Sequence, residues 1–305
     1  LLTSGDVSAA IDHFSKAITI DSRNTDALAN RSSSYARRNE AEKALADARS
    51  AVAINPKSVA AQNSLSAALL ASHDFVSAES AAREVLTLAP GNMHGMLNLT
   101  LALKTQKKLE AALALANQTL QLFPTSGDAM CIAATIHIDR KNYDAARRLV
   151  DQSLAINPDS PQSVVAAGRL QFEMQQPHKA IETLRRAIAL DGKHADAQNL
   201  LGCALREIGQ FDEAVRAFEK CVSLDPANFG AYANIAETKS FQSKDDPHLK
   251  SMMELAASDG KQSDEQVMQL HFAIGKALDD LNEFDAAFEH FSKACRIKRS
   301  QANYS

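Results

Sequence analysis

Residues 195–228 read ADAQNLLGCALREIGQFDEAVRAFEKCVSLDPAN, and the punctuation of this stretch decides the fold. Gly209 sits where a chain must reverse between two helices, since glycine tolerates the left-handed backbone that ends a helix. Pro226 closes the stretch, because proline cannot continue a helix and restricts the residue before it. Ala214 is small where two antiparallel helices would approach closely, and a larger side chain would push their axes apart. Moving outward from Ala214 in steps of 34 residues lands on Ala180, Ala146, Ala112, Ala78, Ala44 and Ala10. Twelve residues after these alanines stand Pro56, Pro90, Pro124, Pro158 and Pro226, with Ser22 and Gly192 as exceptions. Three residues before them stand Phe75, Leu109, Tyr143 and Phe211, and the expected turns carry Gly5, Asn39, Gly209 and Asn282.

A fixed period of this kind is the signature of a repeat architecture, in which each unit buries its apolar face only against its neighbours. Regular units fall at 25–58, 59–92, 93–126, 127–160, 161–194 and 195–228. Residues 1–24 supply the second half of an earlier unit, with Ala10, Phe14 and Ala17 in place. The start at Leu1 reads as a fragment boundary. The rhythm breaks once, because Ala214 and Ala287 are 73 residues apart, two periods plus five. Residues 229–267 are therefore an irregular unit with an insertion. Within it, 229–241 read as a normal first helix and Lys244–Pro247 as a loop. A helix then runs to about Ser258, and Asp259–Asp264 form a second loop. A final unit occupies 268–301 and a short tail 302–305, so that 1–305 reads as one array with seventeen helices.

These columns resemble the tetratricopeptide repeat, a 34-residue helix–turn–helix unit. The match is carried best by Leu201-Gly202, Leu205, Gly209, Phe211, Ala214, Phe218 and Pro226. The resemblance implies an all-α fold, a right-handed α-solenoid (superhelix) whose first helices line a concave groove. It also implies an inward-pointing Asn at the sixth position of a unit, able to grip a ligand backbone, since an amide donates and accepts at once. That position holds Asn30, Asn98 and Asn234, with Asn63 and Asn199 one residue earlier and Ile132 and Ala166 in the two middle units. With Arg37 these asparagines are the candidate partner-binding residues. Some members of the family hold acidic C-terminal tails through Lys, Asn and Arg on three successive first helices. Here Arg31, Arg37 and Arg38 cluster in one unit instead, while Asp139, Glu173, Glu207 and Glu237 face such a tail with like charge.

The end of the chain carries a second resemblance. Leu270–Leu281, Phe284–Phe291 and Ile297-Lys298-Arg299 look like the junction of bacterial repeat-containing sulfotransferases. There, a repeat array with a similarly irregular penultimate unit leads into a sulfotransferase domain with a phosphosulfate-cofactor loop of Arg-Ser-Gly-Thr-Thr type. No such loop occurs in this sequence. The resemblance implies a non-catalytic, substrate-recruiting N-terminal region of a longer enzyme, beside the simpler reading of a protein-interaction scaffold.

Chemistry within the chain is not indicated. Gly260-Lys261 and Gly275-Lys276 lack the upstream glycine of a phosphate loop, and neither a His-Glu-x-x-His pair nor a Gly-x-Ser-x-Gly elbow occurs. His137 and His271 read as packing or surface histidines, and Asp279-Asp280 as a solvated acidic corner. No catalytic, metal or cofactor site is expected. Cys131, Cys203, Cys221 and Cys295 fit no paired spacing and read as reduced, half-buried thiols. The net charge of −4, with no basic block longer than Arg37-Arg38 or Lys107-Lys108, argues against nucleic acid. No apolar run reaches the ~18 residues of a membrane span. The expected partner is a protein or an extended peptide in the cytoplasm, with self-association through exposed array ends as a further option.

Overall fold

The hairpin turns obey one rule. Asn39, His73, Lys107, Lys141, Gln175, Gly209 and Asn282, one per repeat, all have φ between 58° and 79°. In each case the next residue donates its N–H to a carbonyl five residues back: Glu40 to Tyr35, Asp74 to Leu69, Lys108 to Leu103, Asn142 to His137, Gln176 to Gln171, Gln210 to Leu205 and Glu283 to Leu278, at 2.8–3.0 Å. This six-to-one bond over a left-handed residue is the Schellman closure, which satisfies carbonyls that the helix end leaves open. Only one of the seven left-handed positions is glycine. Gly5 lies outside the described residues.

The computed structural model describes residues 7–257 and 263–301. Among them are seventeen α-helices and no strand. The first helix, α1, spans Val7–Ile20. Six hairpins of constant size follow: α2–α3 (Thr25–Arg37, Ala41–Ile54), α4–α5 (Val59–Ala71, Phe75–Leu88), α6–α7 (Met93–Thr105, Leu109–Leu122), α8–α9 (Gly127–Asp139, Tyr143–Ile156), α10–α11 (Pro161–Glu173, Pro177–Leu190) and α12–α13 (Ala195–Glu207, Phe211–Leu224). Then come α14 (Phe229–Thr238), α15 (Pro247–Ala257), α16 (Asp264–Asp280) and α17 (Phe284–Gln301). No helix among the described residues is long and apolar enough to cross a membrane.

Each first helix from α2 through α14 starts on a capping side chain, at a column the sequence reading did not single out. Asn24, Ser58, Asn92, Ser126, Ser160, His194 and Asn228 each accept the N–H three residues on, at 2.8–3.3 Å. Such a cap satisfies a donor that has no partner within the helix.

The alanine column fills the closest helix approaches. Ala10, Ala44, Ala78, Ala112, Ala146, Ala180, Ala214 and Ala287 are all buried, each the fourth residue of its helix. A second column complements it on the first helices: Ser32, Ser66, Thr100, Ala134, Gly168, Gly202 and Gly275. Sixteen residues later stand Ala48, Ala82, Ala116, Val150, Leu184, Phe218 and Phe291. Where the first residue is glycine, the second is large, leucine or phenylalanine. A Cβ on Gly202 would lie 2.4 Å from Phe218, and on Gly275 2.7 Å from Phe291, so the glycines are what admit the rings.

Packing divides the chain into two units, 1–166 and 167–305. In the first, apolar clusters are small and rich in alanine, such as Ala44, Ala48 and Ala68, or Leu28, Ala29, Ala51 and Ala61. In the second, one core runs without a break from Ala180 to Ala287 and encloses Phe218, Tyr232, Ile235, Phe241, Met252 and Ile274.

The irregular stretch departs from the sequence expectation at both ends. The helix expected over 229–241 stops at Thr238, and Lys239 is extended (φ −112°, ψ 159°). Asp280, on α16, accepts the N–H of Phe241 at 3.0 Å, which holds the chain off the helical path. The last hairpin begins one turn before 268, because Ser263 and Gln266 form a capping box that starts α16 at Asp264. The rest of the expected 259–264 loop, and Ser258, lie outside the described residues.

Candidate interaction surface

Ionic and amide contacts on the first helices separate the side chains that hold the hairpins together from those left open. Arg31 on α2 makes a bidentate pair with the buried Asp47 on α3, at 2.6 and 2.8 Å, and donates to Ser15 on α1 at 3.1 Å. Its hydrogen bond to Asp47 raises the Arg31 pKa, so this guanidinium is a structural clasp. Arg38 pairs with Glu40 at 2.6 Å. Arg37, in the last turn of α2, and Arg38 are both exposed.

The asparagines sort into two kinds. Asn98 donates to Ser66 at 2.7 Å and approaches the carbonyl of Asn63 at 3.5 Å, while Asn63 donates to Asn92 at 3.0 Å. Asn234 donates to the side-chain oxygen of Asn199 at 3.0 Å. In both places the fifth residue of one hairpin meets the sixth residue of the next, 35 positions on. The offset of Asn63 and Asn199 from the column is thus the geometry of a latch between adjacent first helices. Asn98 and Asn234 keep only their oxygens for anything else, and the Asn63 Oδ1 is shut from solvent without a hydrogen-bond partner. The Asn30 amide is half-buried and makes no hydrogen bond among the described residues. Arg37 lies seven residues further along α2, on the same helix face. In the middle units Ala166 is buried and Ile132 half-buried, so neither offers a polar group at this position.

Elsewhere in the first unit, a groove of about 670 Å³ opens between α3, α4 and α5. Val52, Leu65, Leu69 and Ala81 line it with Arg49 and Glu84, and the small Ser77 and Ser80 on α5 leave it open. None of the candidate asparagines reaches it.

One sequence expectation needs correction. Asp280 is not a solvated corner: its carboxylate takes the Phe241 N–H and the Lys276 ammonium, while Lys276 also donates to the carbonyl of Lys239 at 3.0 Å. Asp279 alone is exposed. His271 has a partner that a search at one-turn spacing misses, since its Nδ1 lies 2.9 Å from the Nδ1 of His290 across the α16–α17 turn. Burial lowers the pKa of both rings, and Lys293 pushes in the same direction. A neutral pair sharing one proton fits that spacing. Burial also pushes up the thiols of Cys131, Cys203 and Cys221, the last to about 12, which leaves them unreactive. Cys295 is exposed.

Comparison with known families follows the repeat. Models described as "Tetratricopeptide repeat" match residues 103–167 and 269–301. The chain is a tetratricopeptide-repeat protein. A model described as "Anaphase-promoting complex, cyclosome, subunit 3" matches residues 139–221. Among solved structures, a chain of the APC/C hetero-tetramer Cut9–Hcn1 superposes with TM-score 0.63 at 15% identity over 94% of this chain. This tetratricopeptide-repeat protein spans about half of that chain, 52%. At this identity the likeness shows the fold alone. MamA matches 68% of the chain, and 98% of its own, at 20% identity with TM-score 0.36. No curated protein matches the sequence.

Proposed function

We propose that this tetratricopeptide-repeat chain is an interaction scaffold that receives an extended protein segment along its first helices. Repeats of this fold typically serve as protein–protein interaction scaffolds. The observation that carries the finer reading is Asn30, a half-buried amide with both its donor and its acceptor open, two turns from the exposed Arg37 on one helix face. An extended backbone offers alternate N–H and C=O groups to such an amide whatever its side chains, and Arg37 adds a preference for a carboxylate. Asn98 and Asn234 contribute as acceptors only, and chiefly set the spacing of the helices that carry them. The encounter is cytoplasmic in this reading, since four unpaired cysteines suit a reducing compartment.

A displayed library of extended peptides, screened against the wild-type chain, tests the assignment. Selected peptides should lose about tenfold in affinity on Asn30→Ala with no change in melting temperature, the loss of one or two good hydrogen bonds. Asn98→Ala should lower stability as well as binding. Selected peptides that bind Asn30→Ala as well as wild type would remove Asn30 from the site.

A second reading rests on the end of the chain. We propose, as the alternative, that the array recruits protein substrate for a sulfotransferase domain encoded beyond Ser305. The interrupted α14–α15 segment ahead of α16–α17 is the feature that favours it. The coding sequence downstream of Ser305 decides the matter: a stop codon there ends this reading.

A further inference from the structure

The α16–α17 hairpin carries a titratable pair in two columns that are apolar in other hairpins. His271 and His290 stand in the places of Met96 and Leu115 on α6–α7, and of Met130 and Leu149 on α8–α9. In none of the six regular hairpins are both residues titratable. The two Nδ1 atoms are 2.9 Å apart, with ring centroids 5.0 Å apart and planes at 58°, so the rings meet through their nitrogens. Both are half-buried. Next to them runs an aromatic seam. Phe291 fills the space over Gly275, where a Cβ would lie 2.7 Å from its ring, and the Phe272 ring is 6.4 Å from it.

Such a contact counts protons. With one proton between the two Nδ1 atoms, one ring donates and the other accepts, at an ordinary hydrogen-bond length. A first extra proton is accommodated, because it enters at the Nε2 of the donating ring and leaves the shared bond intact. A second can enter only at the accepting Nδ1. It sets two N–H groups head to head and two imidazolium charges 5.0 Å apart, so the contact must open to receive it. The surroundings do not relieve the charge. Burial lowers the pKa of both rings, Lys293 on α17 pushes the same way, and Glu289 opposes it at His290 alone. The charged groups of the other packed elements are engaged elsewhere. On α16, Asp280 holds Lys276 and the Phe241 N–H. On α14, Glu237 holds Arg206, and Lys239 just after it holds Asp246. On α15, His248 lies against Asp246 and Glu219, Lys250 pairs with Asp245, and Glu254 bears on Tyr232.

We propose that His271 and His290 form a proton-operated switch, which holds α17 on α16 while their Nδ1 atoms share one proton and releases α17 when both are protonated. The movement falls on α17, because α16 stays bound to the end of α14 through Asp280 to the Phe241 N–H and Lys276 to the Lys239 carbonyl. Release withdraws Phe291 from Gly275 and opens the aromatic seam. Separated rings take up protons as ordinary imidazoles do, near pH 6.5, whereas the closed pair resists them. The open form therefore binds more protons below pH 6.5, and opening is favoured as pH falls through that value and independent of pH well above it. The switch shares no residue with the first-helix surface and stands or falls separately from Asn30.

Hydrogen exchange on the full chain, corrected for the intrinsic effect of pH on exchange, reads the opening of α17. Protection there should stay constant from about pH 8 to 7. Below 6.5 it should fall by up to about tenfold per pH unit for each extra proton the open form binds. Helices α2 and α3, which contain no histidine, should show no such fall. Two variants separate the pair from the burial of one ring. His271→Met with His290→Leu installs the residues of the α8–α9 hairpin and should leave α17 protection independent of pH down to about 5.5. His271→Gln keeps one imidazole without a second charge beside it, and should remove most of the fall. Nitrogen-15 NMR of the wild type should show the two rings titrating in separate steps, a readout that needs no variant to fold. Wild-type α17 protection that does not drop below pH 6.5 overturns the proposal. So does a drop of equal size in either variant, or two rings that titrate together as ordinary imidazoles.

Discussion

At the scale of single residues, two backbone constraints carry measurable strain or space. Lys141 holds φ at 58°, in a region that costs an L-residue with a Cβ roughly 1 kcal/mol and glycine nothing. Its side chain makes no hydrogen bond or ion pair among the described residues, so Lys141→Gly should stabilise the chain by about 0.5 kcal/mol after the added entropy of the unfolded state is set against the gain. Thermal melts of the variant check it, and a lower melting temperature would mean that the side chain contributes a contact. Gly202 works the other way. Its missing Cβ is the space into which Phe218 packs, so Gly202→Ala should cost about 1–3 kcal/mol despite the better helix propensity of alanine. Adding Phe218→Leu should recover part of that loss in a denaturant titration. A double variant no better than Gly202→Ala would place the clash elsewhere.

At the scale of elements, adjacent hairpins are joined by a few polar clasps, and Glu79 on α5 is the most heavily engaged. It accepts Lys108 at 2.7 Å, Arg83 at 2.8 Å and Gln106 at 2.9 Å, so that α5 is tied to the α6–α7 turn. The bond from Lys108, with those from Arg83 and Gln106, brings its pKa from 4.5 down to about 2. A carboxylate depressed on folding stabilises above its unfolded pKa, and the contribution is lost as pH falls through 4.5 toward 2. With two partly exposed partners it is worth about 1–2 kcal/mol. Glu79→Gln should remove it, so the gap between the wild-type and variant melting curves should be full at pH 7, shrink as pH falls below about 4.5 and close only below about pH 2; a constant gap would assign the difference to something other than this charge. Such clasps mark the limit of what the sequence discloses. The helix ends, the alanine column and the turn positions are legible because each follows from a residue type at a fixed period. The meeting of Asn98 with Ser66, or of His271 with His290, joins residues 32 and 19 apart and depends on how packed helices rotate, which no local pattern states. The start of α16 was readable, since Ser263 and Gln266 carry the capping-box spacing. The early end of α14 was not, because its cause is Asp280, on another helix.

At the scale of the whole molecule, the two units are built from the same columns but with different interiors. In 1–166, the buried positions are dominated by alanine, and the apolar clusters stay small and separate. In 167–305, Leu184, Phe218, Phe241, Met252 and Ile274 link every hairpin into one continuous core. Helices in a repeat array pack only with those one or two places along the chain, so stability is a sum of local and nearest-neighbour contributions. How far a local injury spreads then depends on whether the core between neighbours is continuous. Ala78→Leu and Ala214→Leu make the same overpacking change in the same column, each worth about 1–3 kcal/mol, in the two kinds of interior. Hydrogen exchange should distinguish them. Ala78→Leu should lower protection in α4, α5 and α6 and leave α8 and α9 at wild-type values. Ala214→Leu should lower it from α11 through α17 together, because those helices share one core. Equal spread from both substitutions would mean that core continuity does not set cooperativity here, and that the two units unfold by the same rule despite their different fillings.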